Sequence, residues 1–288
     1  MAEAPIFIHA GAHRTGTSSF QMCLHDNRET LGQVGYALAY PGRDNIPSGR
    51  LALRLPRPKD GVREQAVNKV RKTLASHSDG KPLILSEENL PGRMMHFMQG
   101  RFYPGAEARL QVLREGWSGP VAHVLLVVRS YDELFVSGYR KRAEDNPVPD
   151  FDTLRPRYLS IARGWPALVA SMRDILKPEQ ITVIPYAQRG PSSALLARLV
   201  PGLPGALVEP DKVMNLSATD AALEELQRCY RGGETLNRPA WQDIVAKHAE
   251  DKERRGFAAF SEQETQELAA RYARDLETLE GMDGITFG

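Results

Sequence analysis

The chain has 288 residues, 42% of them hydrophobic, and a formal net charge of +1. That length supports a sizeable core, so residues 1–288 are read as a single domain. The near-neutral balance excludes a global basic field for nucleic acid and makes any anion site a local one. Two distant cysteines, Cys23 and Cys229, exclude a disulfide framework or a zinc site. No run nears the ~20 apolar residues of a membrane span. The opening MAEAPIFIHAGAH lacks a basic region followed by a long apolar stretch. No signal peptide is expected, and the expected location is the cytoplasm.

Ile6–His9 is a short apolar run ending near glycine and reads as a buried strand. A helix follows over Thr17–Asn27, with Ser18 and Gln21 spaced like a capping box. Val34–Gly42 reads as a second strand and turn. The next stretch, DNIPSGRLALRLPRPKDG, is rich in Pro, Gly and charge and reads as a loop. A helix is expected over Val62–Ser76 and a strand over Pro82–Leu85, with Glu87 and Glu88 just beyond it. Residues 91–105 are irregular, and Ala106–Glu115 is a helix candidate. Val121–Val128 is almost continuously apolar, as a central parallel strand requires. It ends in Arg129 and passes into a helix from about Tyr131. DNPVPDFDTLRP reads as a loop, Arg157–Leu176 as a helix and Ile181–Tyr186 as a strand. The remainder is helical over Ala218–Tyr230, Ala240–Lys247 and Ser261–Glu280, with Ser261 and Glu264 as a capping box.

Strands alternating with helices give an α/β fold with a mostly parallel central sheet and a helical C-terminal part. Ligands of such sheets bind beyond the carboxyl ends of the strands. The stretch HAGAHRTGTSSFQ, His9 to Gln21, lies there. Glycine lets a loop approach an anion closely, and the N–H groups of a helix start point at it. Thr17, Ser18 and Ser19 add hydroxyls, and Arg14 adds a charged fork. The lysine that an ATP loop carries after its second glycine is replaced by Thr17, which argues against phosphoryl transfer.

This stretch resembles the 5′-phosphosulfate loop of the sulfotransferases that use 3′-phosphoadenosine 5′-phosphosulfate (PAPS), the bacterial ones in particular. The resemblance implies a P-loop-type fold, PAPS as co-substrate, the adenosine bisphosphate as product, and no metal. It gives Arg14 the place of the basic residue that stabilises the leaving phosphate. The family's usual residue there is lysine, and arginine is poorly suited to give up a proton. The family's 3′-phosphate ligands, an arginine ending a central strand and a serine eight residues later, match Arg129 and Ser137. LILSEENL is similar to a family segment that aligns Glu88 with an acidic residue. ERRGF is similar to a loop that contacts the 3′-phosphate, which maps Arg254, Arg255 and Gly256. The nucleotide-binding candidates are therefore Gly11, Arg14, Thr15, Gly16, Thr17, Ser18, Ser19, Arg129, Ser137, Arg254, Arg255 and Gly256, with Tyr186 either flanking the adenine or packed inward.

The implied reaction is in-line transfer of a sulfuryl group to an acceptor hydroxyl, on a carbohydrate, a lipid headgroup or a small metabolite. The base that takes the acceptor's proton is expected to be Glu88, with Glu87 its neighbour and His13 its rival; His9 is expected under the loop. Acceptor walls are expected at residues 43–60, 91–105 and 145–157. They bring Arg43, Arg50, Arg54, Arg57 and Arg93, which suit an anionic or glycan acceptor or else a solvated loop. The cluster of Met94, Met95, Met98, Phe97, Phe102 and Tyr103 reads either as acceptor lining or as core. Arg140–Arg142 reads as a solvated helix face. Two rival functions stand beside this one: a kinase with a degenerate loop, and a non-catalytic nucleotide-binding module.

Overall fold

The computed structural model describes residues 4–42, 46–57, 63–203, 207–211 and 218–288. The protein is α/β, with an open six-stranded sheet that is parallel throughout and flanked by helices. The strands are β1 (Ile6–His9), β2 (Ala37–Ala39), β3 (Leu83–Ser86), β4 (Val121–Val128), β5 (Gln180–Pro185) and β6 (Thr286–Phe287), in the order β2-β3-β1-β4-β5-β6. Crossover segments join them: α1 (Thr17–Asp26) and α2 (Arg28–Gln33) after β1, α3 (Arg63–Ser78) after β2, and α4 (Ala106–Gly116) after β3. After β4 come α5 (Tyr131–Ala143), α6 (Phe151–Leu159) and α7 (Trp165–Leu176). After β5 come α8 (Ser192–Leu199), α9 (Asp220–Arg231), α10 (Arg238–Lys247) and α11 (Glu262–Glu280). No helix among the described residues is long and apolar enough to cross a membrane.

Both sheet faces are covered, which is why the strands are apolar at consecutive positions. Val124, Leu126 and Val128 of β4 enter one core, and Leu125 and Val127 enter the other. This alternation follows from the period of two along a strand. The larger core packs β-sheet residues against α3, α4, α5 and α7, and the smaller packs them against α1, α2 and α8. Phe97, Phe102 and Tyr103 belong to the larger core, where Phe102 meets Tyr131 and Trp165 edge-on and Phe97 meets Phe135 at a tilt. The aromatic part of that cluster is therefore core, while Met94 and Met98 pack on its edge and Met95 is exposed.

β1 lies between β3 and β4, so the chain winds to one side of it and then to the other. That reversal opens a crevice at the carboxyl ends of the strands. The loops after β1, β3 and β4 all meet there.

Several local expectations are corrected. DNPVPDFDTLRP is a loop only over residues 145–150: α6 begins at Phe151, because Phe151, Leu154 and Tyr158 recur on one face and are buried. Pro156 sits inside that helix, and the helical run breaks before Gly164, whose extended backbone starts α7. α1 has no capping box; it starts from Gly16 without a side-chain cap. At α11 the expected box forms in both directions, Glu264 N–H to Ser261 Oγ at 3.2 Å and Ser261 N–H to Glu264 Oε2 at 2.7 Å. α2, α8, β6 and the 3-10 turn at Met94–Gln99 were not expected.

Candidate functional site

The β1–α1 loop is held open from inside. Thr15 Oγ1 donates to Ala12 O at 2.7 Å, and Thr17 Oγ1 donates to the same carbonyl at 3.1 Å. These two hydroxyls brace the loop. A Cβ at Gly11 would lie 2.5 Å from Thr17 Oγ1, so only glycine fits beneath that bond. Gly16 has φ +89°, and a Cβ there would lie 2.8 Å from Arg189 Cζ. Left-handed backbone and a guanidinium packed on the Cα both require glycine. Ser18 is buried and Ser19 half-buried in the first turn of α1. The first N–H groups of a helix have no intrahelical acceptor, and the N-cap of α1, Gly16, supplies no side-chain bond to them, a geometry that suits an anion.

Arg14 also has a left-handed backbone, φ 65°. Its Nε donates to Ser137 Oγ of α5 at 2.7 Å. Its carbonyl accepts from Arg129 Nη1 at 2.9 Å. Arg14 thus forms one cluster with Arg129 and Ser137, each more than a hundred positions away in the chain. Burial lowers the Arg14 pKa from its ordinary value, Arg129 adds to that, and Glu144, Tyr186 and Glu88 oppose it. Arg129 is fixed by Glu133 Oε2 at 3.0 Å and by the Tyr186 ring, whose centroid is 4.6 Å from its Cζ. Tyr186 therefore stacks on Arg129.

A cleft of about 630 Å³ opens from this cluster, lined by Arg129, Ser137, Arg140, Arg254, Gly256 and Phe260 among others. Asp220 organises its far wall. It pairs with Arg140, and its Oδ2 accepts from Arg255 N–H at 2.8 Å and Phe257 N–H at 3.3 Å. Arg254 and Gly256 consequently line the cleft, while the Arg255 guanidinium turns to Asp251, Glu253 and Glu224. Arg140 is likewise no solvated surface residue, though Lys141 and Arg142 pair with Glu144 and Asp145 outside.

On the other side of β1, the two carboxylates after β3 separate in role. Glu87 is buried and turned inward: its Oε1 accepts from Asn89 N–H at 2.7 Å and Asn89 Nδ2 at 3.0 Å. Burial raises its pKa, and the Asn89 bonds work against that. With Nδ2 committed to Glu87, Asn89 presents Oδ1 to His13 Nε2 at 3.2 Å. That network assigns the hydrogen to Nε2 and leaves Nδ1 as the basic nitrogen, 3.8 Å from Glu88 Oε2. The structure brings His13 and Glu88 together and removes Glu87 from reach of a substrate.

His9 lies under the loop, its Nδ1 3.0 Å from Ser86 Oγ and its ring stacked on Phe20 at 4.0 Å. Burial first, and then the Arg189 charge, push its pKa down from 6.5 to about 3. The unfolded chain takes up a proton near pH 6.5, and the folded chain resists until about pH 3. The stability tied to the neutral ring is complete above pH 6.5 and is lost on acidification, by about 1.4 kcal/mol per pH unit. Denaturant unfolding from pH 6.5 to 4.5 is expected to show a shallower pH slope for His9→Asn than for the wild type. Equal slopes would contradict a buried neutral imidazole.

Asn89, Arg189 and Arg109 of α4 also shape the site; Asn89 belongs to the LILSEENL resemblance but has no role in it, and neither arginine falls in a motif. Asn89 sits inside SEENL, where the neighbouring carboxylates drew the attention, and Arg189 three residues after Tyr186. Residues 43–45, Arg43 among them, and residues 58–60 of the expected acceptor walls lie outside the described residues. The chain matches no protein-family model, no curated protein and no solved structure.

Proposed function

We propose that this protein is a PAPS-dependent sulfotransferase acting on an acceptor hydroxyl. The observation that carries the reading is the Arg14–Ser137 bond of 2.7 Å, with Arg129 on the Arg14 carbonyl. It joins the glycine loop to a second cationic cluster at the mouth of a cleft that also holds Arg254. Such an arrangement suits a ligand with two separated phosphate-like groups. The loop suits the first of them, because Arg14 lies beside the first turn of α1, whose N-cap Gly16 makes no side-chain bond.

PAPS supplies a sulfuryl group on a leaving phosphate; the chain supplies the rest. Arg14 and the first N–H groups of α1 are already in place for charge that grows on the leaving oxygen, and preorganised donors of this kind need no rearrangement. Arg129, Ser137 and Arg254 hold the 3′-phosphate, and Tyr186 fixes Arg129. His13, oriented by Glu87 through Asn89, takes the acceptor's proton at Nδ1, and Glu88 stabilises the imidazolium. This reverses the order expected from the sequence, where Glu88 came first.

The test is transfer of labelled sulfuryl from PAPS to a panel of hydroxyl compounds in a chelating buffer. Label is expected on an acceptor without added metal. Phosphorylation of the same panel from magnesium–ATP, with no sulfuryl transfer, would overturn the reading.

A further inference from the structure

The wall of the crevice on the β3 side is built by residues 46–57 and the turn after β3. Leu51 N–H bonds to Tyr40 O at 3.0 Å, which brings the first of these to the carboxyl end of β2. Arg109 binds the two segments to each other. It is 7% exposed, and all its hydrogen bonds go to main-chain carbonyls. Nε donates to Asn89 O at 3.0 Å and Leu90 O at 3.2 Å, and Nη2 also reaches Asn89 O. Nη1 donates to Pro56 O at 2.7 Å and Leu55 O at 3.3 Å. Arg57 and Glu88 are therefore each one residue from a carbonyl held by the same guanidinium. Burying a cation costs several kcal/mol unless it is well bonded, so this clamp fixes the loop beside the proposed base.

What the clamp holds there is positive. Residues 46–57 contain Arg50, Arg54 and Arg57, all exposed, and no acid. Arg93, also exposed, lies close enough to Arg109 for the two cations to repel. Elsewhere arginines such as Arg63, Arg155, Arg163 and Arg231 have carboxylate partners. Among the described residues no ion pair joins Arg50, Arg54 or Arg93 to a carboxylate. Exposed like charges such as Arg54 and Arg93, which have no carboxylate partner among the described residues, favour an anionic ligand.

We infer that the acceptor is itself an anion: a hydroxyl compound with carboxylate groups, held by Arg54 and Arg93 with its hydroxyl at His13 and Glu88. The inference rests on the sulfotransferase reading and names its acceptor class. The carboxylates lie toward the arginines, because Glu88 repels them on the other side. A carboxylate-bearing sugar polymer and a small hydroxy acid share this chemistry, and chain length distinguishes them.

The probes are an oligogalacturonate, monomeric galacturonate and a neutral malto-oligosaccharide, each titrated with the adenosine 3′,5′-bisphosphate present. The oligogalacturonate or the monomer is expected to bind, and the neutral sugar to bind at least about ten-fold more weakly at low salt. Arg54→Glu and Arg93→Glu, both exposed substitutions, are each expected to weaken uronate binding by about ten-fold or more, and Arg28→Glu on α2 by less than about two-fold. Uronate binding that ignores both charge reversals, or equal binding of the neutral sugar, overturns the inference. Bisphosphate titration of the same variants separates the two readings. Normal bisphosphate binding with indifference to acceptor charge defeats this inference alone. Failure of the bisphosphate to bind the wild type defeats the donor reading and, with it, the assignment of the uronate as acceptor.

Discussion

Arg14→Ala is expected to lower kcat by roughly 10²–10³, the effect of removing one preorganised donor from a developing anion. The guanidinium is held from two directions, through Nε by Ser137 and through the main chain by Arg129. Its backbone is left-handed, which costs a non-glycine residue about 1–2 kcal/mol. Arg14→Gly separates charge from strain: it relieves the backbone, so thermal stability should hold or rise, while turnover falls as far as in Arg14→Ala. Arg14→Lys keeps the charge and gives up the fork, so its loss should be smaller than that of alanine. Rates at saturating donor and acceptor, with a thermal melt of each variant, measure both quantities. Full turnover in Arg14→Ala would show that the loop only holds the nucleotide.

The second large effect is expected at His13. His13→Gln should reduce kcat by about 10²–10⁴, the range of a general base. Glu88→Gln should cost less, since it removes a charge 3.8 Å from the ring and leaves the ring in place. Asn89→Ala leaves both groups present but frees the imidazole to turn, so it should lower kcat more than it raises the acceptor KM. It also removes the Nδ2 bond to the buried Glu87 carboxylate and leaves only the main-chain N–H of residue 89 to offset its burial. Single-turnover rates at saturating donor rank the three. A larger loss in Glu88→Gln than in His13→Gln would exchange the two roles.

The parts of this site that were legible in the sequence are those set by local chemistry. A glycine loop between an apolar run and a helix start announces an anion site. Arg129 at the end of the apolar run Val121–Val128 stands at the ligand-binding edge of a parallel sheet. Other parts depend on contacts across the chain. Glu87 and Glu88 are identical neighbours in sequence, and only Asn89 and burial decide which one turns inward. Arg189 reaches Gly16 from after β5, and Arg109 clamps two loops from the first turn of α4; neither carries a local signal. α6 was hidden because Asp and Pro in DNPVPDFDTLRP read as breakers, whereas burial of Phe151, Leu154 and Tyr158 outweighs them. Ser18 and Gln21 have the spacing of a cap, but the left-handed Gly16 starts the helix without one.

The central claim is that the loop, Arg129, Ser137 and Arg254 form one site for a nucleotide with a 3′-phosphate. Isothermal titration with adenosine 3′,5′-bisphosphate in a chelating buffer, against ATP with magnesium, tests it most directly. The account predicts saturable, metal-independent bisphosphate binding that is tighter than magnesium–ATP and weakened about ten-fold or more by Arg129→Ala. Tighter binding of magnesium–ATP, with bisphosphate affinity indifferent to Arg129, would contradict it.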